Sequence, residues 1–160
     1  MAGPRDDVDV RAPVAPGPVP PILPPVLVVG TDDWAVEQAV ARLAEAGATV
    51  FTCHDPGRPA FPCNALVGRG CPLDRGCDVV VTVRARPLDR PAPGEMGVVC
   101  GLHRGAALVS AGMAGSNPFG PWVTRAVTAD EQLAVVVSDV VRSPRARPGR
   151  GRRTPGVRVP

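Results

Sequence analysis

Lysine and tyrosine are absent from this 160-residue chain, and aromatic residues make up only 3% of it. Without lysine there can be no Schiff-base lysine, no lysine general base and no phosphate-loop lysine. Enzyme classes that depend on those groups are therefore excluded. Arginine carries all of the fixed positive charge of the side chains.

The chain also lacks a long apolar run. None approaches the roughly 20 residues that a membrane-spanning helix needs, and the N-terminal hydrophobic residues are interrupted by proline, unlike those of a signal peptide. We therefore expect a cytoplasmic protein without membrane contact. In that compartment, five cysteines are more typical of free thiols or metal ligands than of structural disulfides.

Charge divides the chain into three parts. Residues 1–25 contain eight prolines and carry −1, from two Arg and three Asp. Residues 26–141 carry −3, from nine Arg and twelve acidic residues, and residues 142–160 carry +7, from seven Arg alone. We expect one folded domain over 26–141 between a disordered Pro-rich leader and a disordered Arg/Pro/Gly-rich tail. The tail predicts weak contact with nucleic acid or an acidic partner, since it lacks aromatic residues for base stacking.

The first part of the expected domain has the pattern of a strand, a helix and a second strand. Val26–Gly30 is a continuous apolar run, as in a strand buried on both faces of a parallel sheet. Residues 31–47 carry apolar side chains at helical spacing, with a capping residue (Thr31 or Asp32) at the start and a glycine at the end. Residues 48–54 predict the second strand.

Three more strands and two more helices follow. The runs 78–83, 106–110 and 122–127 predict strands three to five, and residues 95–104 and 128–141 predict helices, the latter opened by a capping box. Strands that alternate with helices imply parallel pairing. The expected fold class is α/β: a small three-layer sandwich with a mostly parallel sheet of about five strands in the order 2-1-3-4-5, resembling the flavodoxin-like or Rossmann-like fold.

The residues at the strand ends argue against a dinucleotide site and against a phosphoacceptor receiver domain. A dinucleotide site needs several glycines where backbone amides approach pyrophosphate, but a single Gly30 precedes Asp32 and Asp33, which repel phosphate. A phosphoacceptor receiver domain needs an Asp after strand three and a Lys after strand five, whereas strand three ends in Val83-Arg84 and lysine is absent. We expect no nucleotide cofactor and interpret the two Asp as caps of the first helix.

The most informative feature is the Cys-rich loop, residues 53–77. A loop of this length without regular structure is uncommon in a compact domain unless it is functional or disordered. Thiolate and imidazole ligands suit zinc, and thiolates suit iron–sulfur clusters. The candidate metal ligands are Cys53, His54, Cys63, Cys71 and Cys77. The cysteines are separated by nine, seven and five residues, so no Cys-x-x-Cys knuckle is present.

The same loop carries a resemblance to a protein family. Phe-Pro-Cys-Asn-Ala-Leu at 61–66 and Cys-Pro-Leu-Asp at 71–74 resemble segments of small actinobacterial proteins that have a Cys-rich loop on a Rossmann-like or flavodoxin-like domain. The resemblance points to the same loop and implies no activity.

Three interpretations of the thiols stay open: they bind zinc or an iron–sulfur centre, two of them form a reversible disulfide, or they are inert. The preferred function is a binding or sensing module whose loop holds a metal or responds to redox state. Cys100 is interpreted as a small buried residue of the second helix.

Two alternatives belong to other function classes. The first is a small enzyme with Cys53 as nucleophile and with Arg84 and Arg86 holding an anionic substrate. Because neighbouring residues of a strand face opposite sides, His54 could assist Cys53 only where the strand has ended. The second is a non-catalytic protein that interacts through its tails. The ligand, the partner and the oligomeric state do not follow from the sequence.

Overall fold

The structure, a computed structural model, describes residues 23–112, 115–128 and 132–143. The order of strands and α-helices is β1 (Val26–Gly30), α1 (Asp33–Glu45), β2 (Val50–Thr52), β3 (Val79–Arg84), α2 (Met96–His103), β4 (Ala107–Gly112), β5 (Val123–Val127) and α3 (Leu133–Arg142). Single 3-10 turns lie at Pro72–Arg75, Pro93–Glu95 and Gly120–Trp122. Most of the expected leader, nearly all of the expected tail and residues 129–131 of the expected capping box lie outside the described residues.

The strands form one sheet in the order β2-β1-β3-β4-β5. Every neighbouring pair is parallel, so the expected fold class and strand order are confirmed and the sheet is wholly parallel. β1 lies between β2 and β3, with Val28 beside both Thr52 and Val81. This arrangement brings the carboxyl ends of the first three strands to the same edge of the sheet.

Helices cover both faces of the sheet and produce two separate apolar cores. Val26 and Val28 of β1 point into the core beneath α1 and α3, whereas Leu27 and Val29 point into the core beneath α2. The alternation follows from the two-residue period of a strand. Because side chains on both faces are buried, β1 needs the continuous apolar run that its sequence has.

The second strand is shorter than its sequence predicts. Its pairing with β1 ends at Val28 and Thr52, because the chain turns away after Thr52 and the rest of β1 pairs with β3 alone. The expected strand over 48–54 is therefore wrong at both ends. Cys53 and His54 lie just beyond the ladder, at the start of the Cys-rich loop.

Helix α1 begins differently from the expectation. Asp32 occupies the N-cap position, but its side chain caps no helix amide; it accepts a hydrogen bond from the Thr31 hydroxyl at 2.8 Å. Asp33 accepts a bond from the backbone N–H of Gly57 at 3.2 Å. The two carboxylates thus tie the strand end and the loop to the helix. Among the described helices, none has the length and apolar character that a bilayer crossing requires.

Candidate functional site

The Cys-rich loop folds back onto the end of β2. The backbone N–H of Asn64 donates a hydrogen bond to the carbonyl of Cys53 at 2.7 Å, and the Asn64 side-chain amide donates to the carbonyl of Thr52 at 3.4 Å. These two bonds place Cys63 beside Cys53, although nine residues separate them in the sequence. The path of the loop therefore brings the backbones of the first two cysteines together.

A second turn brings the last two cysteines of the loop together. Residues Pro72–Arg75 form a 3-10 turn that ends at Gly76, whose φ of +81° is in the left-handed region that glycine favours. The Cys77 thiol then donates a hydrogen bond to the carbonyl of Pro72 at 3.3 Å. Cys77 is buried, whereas Cys71 is half-buried.

The thiols of the loop lie on the α2 side of the sheet. Cys53, Cys71 and Cys77 all pack in the core beneath α2. Cys53 lies against the helix so closely that a Cβ at Gly97 would be 2.7 Å from its Sγ. Cys100 lies one turn further along the same helix and is exposed, so its expected burial is wrong. All five cysteines are free thiols.

Electrostatics also indicates that the five thiols converge. The pKa of Cys53 is raised from 9.0 to about 12. Burial contributes most to this shift, and the negative charges of Cys63, Cys100, Cys71 and Cys77 contribute the rest, in decreasing order. Burial, then the charges of Cys71 and Asp78, raise the pKa of Cys77 to about 11. Both thiols are protonated at neutral pH, and Cys53 is not a ready thiolate nucleophile.

The convergence stops short of a metal cage. Within residues 23–112, 115–128 and 132–143, no group of three His, Cys, Asp or Glu side chains is placed to hold a metal ion. The expected ligands Cys53, His54, Cys63, Cys71 and Cys77, and a zinc ion or an iron–sulfur cluster bound by them, stay a prediction.

His54 lies just beyond the end of β2, at the carboxyl edge of the sheet. It lines a small cavity with Val29 and Val36, which belong to the two opposite faces, and its Nε2 is 3.8 Å from the Asp33 carboxylate. Its Nδ1 is buried and has no hydrogen-bond partner among the described residues. Neither ring nitrogen is therefore bonded to the Cys53 thiol.

Arg84, the predicted anion holder, is buried in an ion pair that the sequence did not reveal. It is 2% exposed, and one guanidinium nitrogen donates to Oε1 of Glu95 at 2.5 Å. The other terminal nitrogen donates to the carbonyl of Leu88 at 2.7 Å, while Nε has no partner among the described residues. Arg86 lies on the surface, 3.6 Å from Asp32.

Glu95 is the centre of this polar network. Its Oε1 also accepts the Thr82 hydroxyl at 2.8 Å, and its Oε2 accepts the backbone N–H of Ala92 at 2.9 Å. The carboxylate occupies the place where an anionic substrate of Arg84 would bind. Sequence reasoning missed Glu95 because no spacing rule links a strand end to a residue eleven positions later.

The crevice between β1 and β3, where doubly wound sheets bind ligands, is filled by the protein itself. A Cβ at Gly94 would be 2.3 Å from the carbonyl oxygen of Gly30, and a Cβ at Gly30 would be 2.5 Å from that of Val83. Backbone packs directly on backbone there, which only glycine permits. Space for a ligand lies instead beside β2.

Two clefts border the Cys-rich loop. We call the larger, of about 240 Å³, the edge cleft; it is lined by Val50, Phe51, Thr52, Asn64, Arg69, Gly70, Pro72 and Arg75. The other, of about 190 Å³, includes His54, Asp55 and Arg58. No carboxylate lines the edge cleft, so its electrostatics favours an anion.

Comparison with known proteins gives no further guide to this site. No protein-family model matches the chain, and no curated protein or solved structure is significantly similar to it.

Proposed function

We propose that this protein is a redox-sensing module of the cytoplasm, in which Cys53 and Cys63 join reversibly in a disulfide. The proposal rests on the 2.7 Å hydrogen bond from the Asn64 N–H to the Cys53 carbonyl. This bond sets the peptide group that follows Cys63 against the backbone of Cys53. A disulfide needs α-carbons roughly 4.4–6.8 Å apart, and hydrogen-bonded backbones approach each other on that scale.

The electrostatic order of the thiols supports the same pair. Among the cysteines that raise the pKa of Cys53, Cys63 has the largest effect. Both residues are half-buried, so a small oxidant can reach them without unfolding of the domain. With hydrogen peroxide the reaction is balanced as two thiols and one peroxide giving one disulfide and two waters.

A metal-binding module is the second candidate. It is supported by the approach of Cys71, Cys77 and Cys100 to Cys53, because a zinc ion would neutralise several thiolates at once and release their protons. We place it second because a disulfide needs only two sulfurs, whereas no group of three potential ligands is in place among the described residues.

The enzyme alternative has less support. Cys53 would be the nucleophile, but its pKa is raised to about 12, and thiol nucleophiles act as thiolates. Arg84 is bound to Glu95, and Arg86 is 3.6 Å from the Asp32 carboxylate. None of the three proposed groups is therefore poised for catalysis.

The test is to oxidise the reduced, full-length chain with hydrogen peroxide and map its peptides without reduction. We expect a Cys53–Cys63 cross-link that dithiothreitol reverses. Cys63→Ser should abolish this cross-link. Cys100→Ser, a matched change at an exposed thiol, should leave the cross-link unchanged. A dominant cross-link between other cysteines, or oxidation that no thiol reverses, would contradict the proposal.

A zinc titration of the same reduced chain separates the second candidate from the first. Binding of one zinc per chain, with proton release that is lost in Cys63→Ser, would favour the metal module. Peroxide-driven pairing without zinc binding would favour the redox module.

A further inference from the structure

The edge cleft borders the Cys-rich loop. Several of its lining residues are chain neighbours of cysteines: Thr52 precedes Cys53, Asn64 follows Cys63, and Gly70 and Pro72 flank Cys71. The cysteines themselves do not line the cleft, so a molecule that reacts with them must extend out of the cleft toward their sulfurs.

The cleft carries positive charge that the protein does not neutralise. Arg69 is paired with Asp55 at 2.5 Å, but the Arg75 guanidinium lies over the Phe51 ring, 5.4 Å from its centre, and makes no ion pair among the described residues. With no carboxylate in the lining, Arg75 is available to an anion. An arginine held over an aromatic ring presents its planar group to a carboxylate.

The cleft also exposes backbone groups. β2 pairs with β1 on one side only, and Val50, Phe51 and Thr52 line the cleft from its outer edge. Unpaired N–H and C=O groups of an edge strand bind extended peptides by adding to the sheet. The ligand that these features fit is thus peptide-like as well as anionic.

We infer that the edge cleft binds one arm of a small anionic peptide disulfide, of the chemical class of oxidised glutathione, and that this molecule oxidises the Cys53–Cys63 pair. The inference rests on the proposed function and names its oxidant. A volume of about 240 Å³ suits one arm rather than the whole disulfide, since drug-sized ligands fill sites of roughly 300–1,000 Å³.

The reaction proceeds in two exchanges. The Cys63 thiolate attacks one sulfur of the bound disulfide, forming a mixed disulfide and releasing one small thiol. The second exchange is the slower one, because the pKa of Cys53 is raised. In it, Cys53 loses its proton to solvent and attacks the Cys63 sulfur, forming the Cys53–Cys63 bond and releasing the second small thiol. Two protein thiols are oxidised and one small disulfide is reduced to two thiols, so electrons and protons balance.

The test uses the full-length chain with Cys53→Ser, which stops the reaction at the mixed disulfide. Rates of adduct formation on Cys63 are followed by intact mass and peptide mapping with two probes: oxidised glutathione, and the neutral, non-peptide 2-hydroxyethyl disulfide. Arg75→Gln is the test variant. Arg125→Gln is the matched control, because Arg125 is exposed on β5 at the opposite edge of the sheet.

We expect Arg75→Gln to slow the glutathione reaction by about threefold, the scale of one exposed charge interaction, and to leave the 2-hydroxyethyl disulfide reaction unchanged. Arg125→Gln should change neither rate. If Arg75→Gln slows the reactions of both probes equally, or slows neither, the inference is overturned. The proposed Cys53–Cys63 disulfide is not affected by that result. If the unmodified chain forms a Cys53–Cys63 bond with hydrogen peroxide but with neither probe, this inference fails alone; if it forms none with peroxide either, the proposed function fails with it.

Discussion

The clamp formed by Thr82, Arg84 and Glu95 lies at the carboxyl edge of the sheet, where the Cys-rich loop begins, yet the clamp and the loop use polar groups in opposite ways. In the clamp, a fully buried carboxylate accepts three hydrogen bonds and neutralises a buried guanidinium. In the loop, Cys77 is the one thiol with a hydrogen bond among the described residues, which it donates to the carbonyl of Pro72. Paired ionic groups thus fix the clamp, whereas the cysteines of the loop are free thiols.

The largest effect is expected when the clamp is broken from one side. Glu95→Ala leaves the Arg84 guanidinium buried without its counter-ion and Thr82 without its acceptor. We expect the free energy of unfolding to fall by about 3–5 kcal/mol, measured by urea denaturation. If the variant does not fold, Glu95→Gln is measured instead; it removes the counter-ion but keeps an acceptor for Arg84 and Thr82, so it should lose a smaller part of the same free energy.

A double variant controls for this interpretation. Arg84→Met combined with Glu95→Ala removes both charges, so it should recover a substantial part of the lost stability. A double variant as unstable as the sum of the two single variants would mean that the ion pair is not the cause.

The contact between α2 and the thiols should be the next most sensitive. Gly97→Ala places a Cβ 2.7 Å from the Cys53 Sγ and 2.8 Å from a methyl group of Val29. We expect a loss of about 1–3 kcal/mol from overpacking. Cys53→Ala in the same chain should return part of it, and strict additivity in the double-mutant cycle would argue against the contact.

The raised pKa values of the half-buried Cys53 and the buried Cys77 predict a loss of stability in alkali. Cys53 and Cys77 have pKa values of about 12 and about 11 when folded, above the usual 9.0. Between these values the folded state holds protons that the unfolded state has released. Their contribution is therefore fully present below about pH 9 and is lost as the pH rises through the folded values.

Urea midpoints at about pH 8 and pH 10.5, taken under reducing conditions, measure this loss. The fall in unfolding free energy between the two pH values should be smaller in Cys53→Ala/Cys77→Ala than in the unmodified chain. An equal fall in both proteins would assign the alkaline sensitivity to other groups.

The smallest effect is expected at the surface of the loop. Arg69 and Asp55 form an ion pair that is more than half exposed on the arginine side and half exposed on the aspartate side. Arg69→Gln should change the free energy of unfolding by less than about 1 kcal/mol. A larger loss in a urea titration would mean that this pair holds the loop in place.

The fold was predictable because its signals are local. The apolar run of Val26–Gly30 requires burial on both faces, and alternation with helices requires parallel strands. The position of Cys53 at the carboxyl edge of the sheet followed from the same reasoning, because Cys53 comes directly after β2. The extent of β2 was not predictable, because where pairing stops depends on the path of the loop.

The details of the candidate site were hidden because they depend on contacts between distant residues. Nothing local to Arg84 indicates that Glu95 will neutralise it, so an arginine at a strand end suggested an anion holder. Nothing local to Cys100 indicates that its side of α2 faces away from the core. The Asn64–Cys53 hydrogen bond, on which the proposed pair rests, is likewise a product of loop path.

The strand order limits how far a structural change in the Cys-rich loop can extend into the rest of the domain. β2 and β3 both pair with β1, with Thr52 beside Val28 and Val79 beside Val26. The two ends of the Cys-rich loop are therefore anchored about two strand spacings apart across the sheet, roughly 9–10 Å, and two residues apart along it, roughly 6–7 Å. Making or breaking a bond inside the loop cannot change that separation without dismantling the sheet. A partner protein that distinguishes the two thiol states would consequently have to bind the loop surface, where Phe61 and Leu66 are exposed, because the sheet does not rearrange.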